Sequence, residues 1–512
     1  MPPRRPIAWT TDDLPELQKA RALWDQSPAQ ALEIFEKTAK RHPRNLTAIL
    51  DAARALGTAH ELPAARSLLQ RAATQLSKTP QGLEQLGQSY RMARLHEEAR
   101  STFEKSITDP NCIESAIELA IFYERRHQLE DFERVLGPAL KRNPEIPALQ
   151  LLEARRLFRR DEMNKAIQRY RDIASNENAH AYHRASALFE LANLQDKQGD
   201  YKGAYQSALE AKDQLRPMAE GLIDQSANFD DQNQRLLEAM TPQRLASWQS
   251  QAEPSEITPC FFTGCPRSGT TLFERMLGGH PQVQAFDELD IYPYFLSGAL
   301  LQSASPEATG EEALEGIPKS WLKRQGKRYW KLFANHQAPS KDTRVLLDKN
   351  PSATGRLPVF LRMFPHAKLL FAERDPRDIA ISCFLRFLPL NPVSVAFLEP
   401  NSTIGYVSRE LTLGLEMQER LPSEIFSSIR YENFVKSPAK ECSRIIDFLG
   451  LDQEVSMQDY QASNRKDPVN SPTYLEVTKP IHQGAVDRWK NYEFAFGEAF
   501  EGLSKLTERM GY

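Results

Sequence analysis

Cysteine is scarce: five residues in 512 (Cys112, Cys260, Cys265, Cys383 and Cys442), too few and too scattered for a disulfide framework. No CxxC pair and no Cys/His metal spacing occurs, so no metal site is expected and a reducing compartment, the cytoplasm, is the expected location. Long apolar runs are missing as well. No stretch approaches the ~18 uninterrupted apolar residues of a helical span, so no membrane partner is expected. The opening MPPRRPIAWTTDD carries basic residues with no apolar segment behind them and does not read as a secretory leader. Net charge is almost absent, with 65 basic residues against 68 acidic, or −3. That argues against a chain-wide nucleic-acid footprint while allowing local basic sites. What remains is ordinary for a globular chain, 41% hydrophobic and 26% charged, at a length that suggests two or three domains.

The front of the chain repeats. Small residues recur at Ala53, Gly87, Ala120, Ala154 and Ala192, at spacings of 34, 33, 34 and 38. Twelve residues after each stand Ala65, Ala99, Phe132, Ala166 and Ala204, and Ala31 precedes this second series by another 34. Pro43, Pro110 and Pro144 follow as helix terminators. Small side chains at such intervals let two antiparallel helices cross closely. The period is similar to that of the tetratricopeptide repeat, which implies an all-α solenoid over residues 1–212 with a surface for a protein partner. The period is lost over residues 213–256, which read as a helical connecting segment.

From Ile257 short apolar runs alternate with helical stretches: ITPCFFT (257–263), VLL (345–347), KLLFAE (368–373) and IFSSIRY (425–431). This texture predicts an α/β domain with a parallel sheet over residues 257–512. GCPRSGTT (264–271) follows the first run and opens a helix. Its Gly-x4-Gly spacing suits a phosphate loop, in which Arg267, Ser268, Gly269, Thr270 and Thr271 would cradle an anion with backbone N–H groups and one guanidinium. Thr270 stands where a Walker loop has Lys. In ERDPRDIAISCFLRF (373–387), Arg374 leaves a strand, Asp375 suits a helix cap and Pro376 its first position. Ser382 and Arg386 are then expected at i and i+4 on one helical face, able to share an anion with Arg374.

Together these two motifs resemble the sulfotransferase superfamily. PRSGTTL looks like its 5′-phosphosulfate loop, and Arg374 with Ser382 looks like its 3′-phosphate pair. Within it the chain resembles both bacterial proteins that join tetratricopeptide repeats to a sulfotransferase domain and the tyrosylprotein sulfotransferases. HPQVQAFDELDIYP (280–293) resembles their segment bearing the catalytic glutamate, which implies Glu288 as general base; LLDKNP (346–351) implies Lys349 in the site; IRYENFV (429–435) implies Tyr431 at the nucleotide. VNSPTYLEVTKPI (469–481) resembles the late loop closing over the donor, implying Ser471 as catalytic and Lys479 as donor-binding. One departure concerns the acceptor: Asp290 stands where those enzymes carry an Arg that holds an acidic peptide.

The resemblance implies transfer of a sulfuryl group from 3′-phosphoadenosine 5′-phosphosulfate, without metal, to an acceptor hydroxyl, with peptide tyrosine, carbohydrate and small metabolites all open. Arg267, Lys349 and the loop N–H groups would hold charge gained by the leaving phosphate oxygen, and Glu288 would take the acceptor proton. His280, His482 and Trp489 read as turn or packing residues. Two other readings stay open: a P-loop nucleotide phosphotransferase, disfavoured by the missing loop Lys, and a non-catalytic repeat scaffold, disfavoured by the complete Arg267, Glu288, Lys349, Arg374 and Ser382 set.

Overall fold

In a computed structural model, residues 9–10, 14–24, 27–301, 304–305, 307–453 and 481–512 are described. They form two compact units. One holds the described residues up to Ala166 with Arg328–Ala338; the other holds Ile167–Lys327 with Pro339–Tyr512. The divisions expected at 212 and 256 both fall inside the second unit, which also takes in the last helical pair of the repeat series.

The repeat series is a run of helices: α1 (Pro15–Leu23), α2 (Pro28–Arg41), α3 (Leu46–Thr58), α4 (Leu62–Leu76), α5 (Pro80–Met92), α6 (His96–Ser106), α7 (Ile113–Arg125), α8 (Leu129–Arg142), α9 (Pro147–Arg159), α10 (Met163–Ser175), α11 (Ala181–Lys197) and α12 (Tyr201–Leu215). Side-chain caps start several of them: Asn45 accepts from the Ala48 N–H, Thr79 from Gly82 and Asp200 from Gly203. Every small residue of the periodic pattern is buried, and Phe132 fills the degenerate position at 1% exposure. Gly87 shows why size matters there, because an added Cβ would sit 2.5 Å from the Phe103 ring of the paired helix.

The turns inside the five helical pairs from α3/α4 to α11/α12 are built alike. His60, Arg94, His127, Asp161 and Gly199 each take a left-handed backbone, with φ between 56° and 80°. The next N–H in each turn reaches the carbonyl five residues back, from Glu61 to Leu56 through Asp200 to Gln195, at 2.9–3.0 Å. That closure satisfies a terminal carbonyl of the first helix and reverses the chain.

In the second unit, α13 (Glu220–Glu238) and α14 (Pro242–Gln249) show that the connecting segment is helical. Beyond them lies a five-stranded parallel sheet in the order β2-β3-β1-β4-β5: β1 (Thr258–Gly264), β2 (Val283–Asp287), β3 (Val345–Lys349), β4 (Lys368–Glu373) and β5 (Phe426–Arg430). Four strands match the apolar runs in the sequence, and β2 is an addition. The inner strands β1, β3 and β4 are almost wholly buried, as helix-covered parallel strands must be. Because all five run the same way, their carboxyl ends share one edge, where ligands of such sheets bind.

Candidate active site

Each strand delivers a named residue to that edge. After β1, the loop Gly264–Gly269 leads into α15 (Thr270–Gly278), whose first N–H groups have no helical partner of their own. Gly264 has φ 149° and Gly269 φ 96°. A Cβ on Gly269 would lie 2.6 Å from the Tyr431 ring, so only glycine lets the loop approach that close. Arg267 holds φ 72° without being glycine, a strained backbone of the sort found at functional sites. Ser268 is buried and donates to the Cys265 carbonyl at 2.7 Å, tying the loop to its own base. Thr270 and Thr271 are buried at the start of α15.

Two of the residues expected at a 3′-phosphate, Arg374 and Ser382, meet this loop. Arg267 Nε donates to Ser382 Oγ at 3.1 Å. Arg374, leaving β4, donates from Nη1 to the Arg267 carbonyl at 2.9 Å and from Nη2 to the Ala485 carbonyl at 2.5 Å. Its guanidinium lies 4.7 Å over the Tyr431 ring, and its Nε is buried without a hydrogen-bond partner. The helix Pro376–Phe384 starts as expected, with Asp375 capping the Arg377 N–H at 2.9 Å and Pro376 in the first turn. It ends at Phe384, so Arg386 stands beyond its C-terminus and the expected i, i+4 helical relation with Ser382 does not hold. Leu385 and Arg386 form a bend there, and Pro389 and Pro392 lie just ahead, where a continued helix would lack N–H groups. Asp378 sits 3.8 Å from Arg374 and accepts the Trp489 N–H at 2.8 Å. Burial pushes its carboxyl up to about 6 despite Arg374.

The second cluster is built on β2 and β3. Lys349, fully buried at the end of β3, donates to Asp287 Oδ1 at 2.5 Å and to Glu288 Oε1 at 2.8 Å. The register pairs Asp287 with Lys349, and the Glu288 N–H extends the ladder to the Lys349 carbonyl at 2.9 Å. Glu288 takes φ 53°, which turns the chain off the strand with its carboxylate against the ammonium. Burial opposes charge on Glu288, yet Lys349 outweighs it and holds the carboxyl below its ordinary value. Burial likewise opposes charge on Lys349, but Asp287, Glu288 and Glu274 together raise its pKa. Asp287 therefore pairs with Lys349.

Sequence reasoning missed two carboxylates. Asp378, in the first turn of the helix after β4, faces Arg374 and the Trp489 N–H. Glu274, on α15, is buried beside the Lys349 cluster, where burial and then Asp287 push it up to about 7. Its position four residues after Thr270, between Phe273 and Met276–Leu277 in TTLFERMLG, was the available signal. His280 is a turn residue, accepting from the Gln282 N–H at 3.1 Å, and Trp489 packs under Arg377 at 3.8 Å. Ser471 and Lys479 lie outside the described residues.

Residues 259–455 match the family model described as "Sulfotransferase family". An uncharacterized protein of Aquifex aeolicus is 26% identical over 338 residues, covering 64% of this chain and 42% of its own length. Protein-tyrosine sulfotransferase 2 of Gallus gallus is 26% identical over 272 residues, covering 50% of this chain and 70% of its own. Among solved structures, the sulfotransferase domain from the Synechococcus PCC 7002 olefin synthase aligns over 51% of this chain and 99% of its own, at 24% identity and a TM-score of 0.37. The matched segment spans β1 to β5 and the loops that bear Arg267, Glu288, Lys349, Arg374 and Tyr431, and over residues 259–455 this chain is similar to the sulfotransferase family.

Proposed function

We propose that this chain transfers the sulfuryl group of 3′-phosphoadenosine 5′-phosphosulfate to an acceptor hydroxyl. The observation that carries the proposal is the convergence, on one sheet edge, of the Lys349–Glu288 pair with the Arg267, Ser382 and Arg374 group. The residues fit such a donor. The loop offers backbone N–H groups to a 5′-phosphate, Arg374 keeps a buried Nε unpartnered, and Tyr431 offers a ring where glycine alone fits opposite. In this reading Arg374, Ser382 and Arg386 hold the 3′-phosphate, and Arg267 and Lys349 stabilise charge on the departing phosphate oxygen. Ser471 and Lys479 complete the donor site from the late segment.

Glu288 is the base. Lys349 keeps it ionised near neutrality, and it takes the acceptor proton as the new O–S bond forms and the S–O bond to the donor phosphate breaks. Protein tyrosine is the first acceptor to test, because relatives 24–26% identical are named protein-tyrosine sulfotransferases. The repeat surface would then present the acceptor or a protein partner. The deciding experiment is transfer of labelled sulfuryl to tyrosine peptides, carbohydrates and small phenols. Labelled product from any pool supports the proposal. No product from any pool, with no binding of adenosine 3′,5′-bisphosphate, overturns it.

A further inference from the structure

We infer that Lys212, on the last repeat helix, is a positioning residue for the donor's 3′-phosphate grip. The inference rests on the donor reading above. Lys212 lies on α12 and is 2% exposed. Its Nζ donates to the Phe397 carbonyl at 2.5 Å and lies 4.2 Å from the centroid of the Phe384 ring and 5.2 Å from that of Phe189. A buried amine held by one carbonyl and aromatic faces, rather than by a carboxylate, is a costly choice for a helix that needs only to pack. Burial pushes its pKa down to about 7, in keeping with that cost.

The two groups it joins explain what it achieves. Phe384 ends the helix that carries Ser382, and Phe397 lies in the 3-10 turn Ser394–Leu398. Between them runs the stretch 385–393, which carries Arg386. Lys212 therefore staples the base of this loop. The same helical pair grips its start: Tyr182 and Phe189 of α11 pack on Phe387 at 5.0 and 5.5 Å, and Tyr205 of α12 stacks on Phe384 at 5.5 Å. Without the staple, Ser382 stays on its helix while Arg386 loses its fixed place. The last repeat pair is in this way part of the donor site.

The test compares adenosine 3′,5′-bisphosphate with adenosine 5′-phosphate binding to the full chain by calorimetry. Lys212→Met keeps the volume and removes the ammonium. It should lower the preference for the 3′-phosphorylated ligand about tenfold, leave adenosine 5′-phosphate binding unchanged, and raise donor KM with kcat held. An unchanged preference, or equal weakening of both ligands, overturns the inference. Should Lys212→Met fail to fold, Tyr205→Leu frees the same Phe384 ring and must reduce the preference; a retained preference there overturns it too. A wild-type chain with no preference for the 3′-phosphate counts instead against the donor reading itself.

Discussion

The same unusual backbone serves two regions of this chain for opposite reasons. In the repeat series, His60, Arg94, His127 and Asp161 take the left-handed conformation at equivalent turns, and in the next such turn Gly199 takes it instead. The turn needs the conformation, and the identity of the residue matters little. At the sheet edge, Arg267, Glu288 and Ser352 take it as well, with φ 72°, 53° and 64°. In the proposed reaction Arg267 and Glu288 are there for their side chains, which the backbone bend would aim. A left-handed non-glycine residue costs roughly 1–2 kcal/mol in either place. In the turns that cost follows from geometry glycine could meet; at the site glycine would meet the geometry and lose the chemistry.

Several substitutions probe this contrast. The largest effect is expected at Glu288. Glu288→Gln should slow single-turnover transfer by roughly 10²–10⁴-fold at saturating donor, with donor affinity nearly unchanged. Asp287→Asn should do less, since it removes a partner of Lys349 and not the base; a larger loss for Asp287→Asn would move the base by one residue. Arg267→Gly comes next. It suits the backbone better than the native residue, so chemical denaturation should move by no more than about 1 kcal/mol, while transfer falls by roughly 10²–10³-fold. Retained transfer would show that Arg267 is there for the turn, as Asp161 is.

Ser382→Ala and Arg374→Ala should each weaken adenosine 3′,5′-bisphosphate binding by about 1.5–3 kcal/mol and adenosine 5′-phosphate binding far less. Equal losses for both ligands would remove them from the 3′-phosphate. Glu274 gives a smaller effect with a defined sign. Folding raises its pKa from 4.5 to about 7, so the neutral acid is favoured in the folded state. Its stabilising contribution is complete below pH 4.5 and is lost as pH rises through about 7. Glu274→Gln should therefore gain thermal stability relative to wild type between pH 5 and 8, as followed by melting curves at stepped pH; a difference that stays flat with pH would place an ionised carboxylate there. The smallest change is expected for the exposed Asp161→Gly, a gain below about 1 kcal/mol in denaturant unfolding, because relief at φ 59° is offset by the freer unfolded chain. A loss above about 1 kcal/mol would mean that the Asp161 side chain is needed as well.

Much of this was legible in the linear chain because the forces are local. Repeat spacing, helix caps such as Asp375, terminating prolines and the strand–loop–helix passage through Gly264–Thr271 depend on neighbours within a few residues. Residues 264–271 and Arg374 were recognisable because loop geometry and helix N-termini leave a short-range pattern. Strand β2 was not legible as a strand. VQAFD is five residues long, lies at the sheet's edge and carries a buried Gln284, so neither an apolar run nor clean alternation marks it.

By itself the sequence determined the helical pairs, the strand–loop–helix passage through Gly264–Thr271 and the capped helix after Arg374, since each follows from steric size, capping or charge within a short stretch. Only the tertiary structure decided that Lys349 meets Asp287 and Glu288, because that pairing depends on the parallel register of β2 against β3 across sixty residues of intervening chain. It also decided that the helix after β4 stops at Phe384 and that Lys212, more than 170 residues earlier, is buried against that end. Burial of a charge is a property of what surrounds it on all sides, and no linear pattern encodes that.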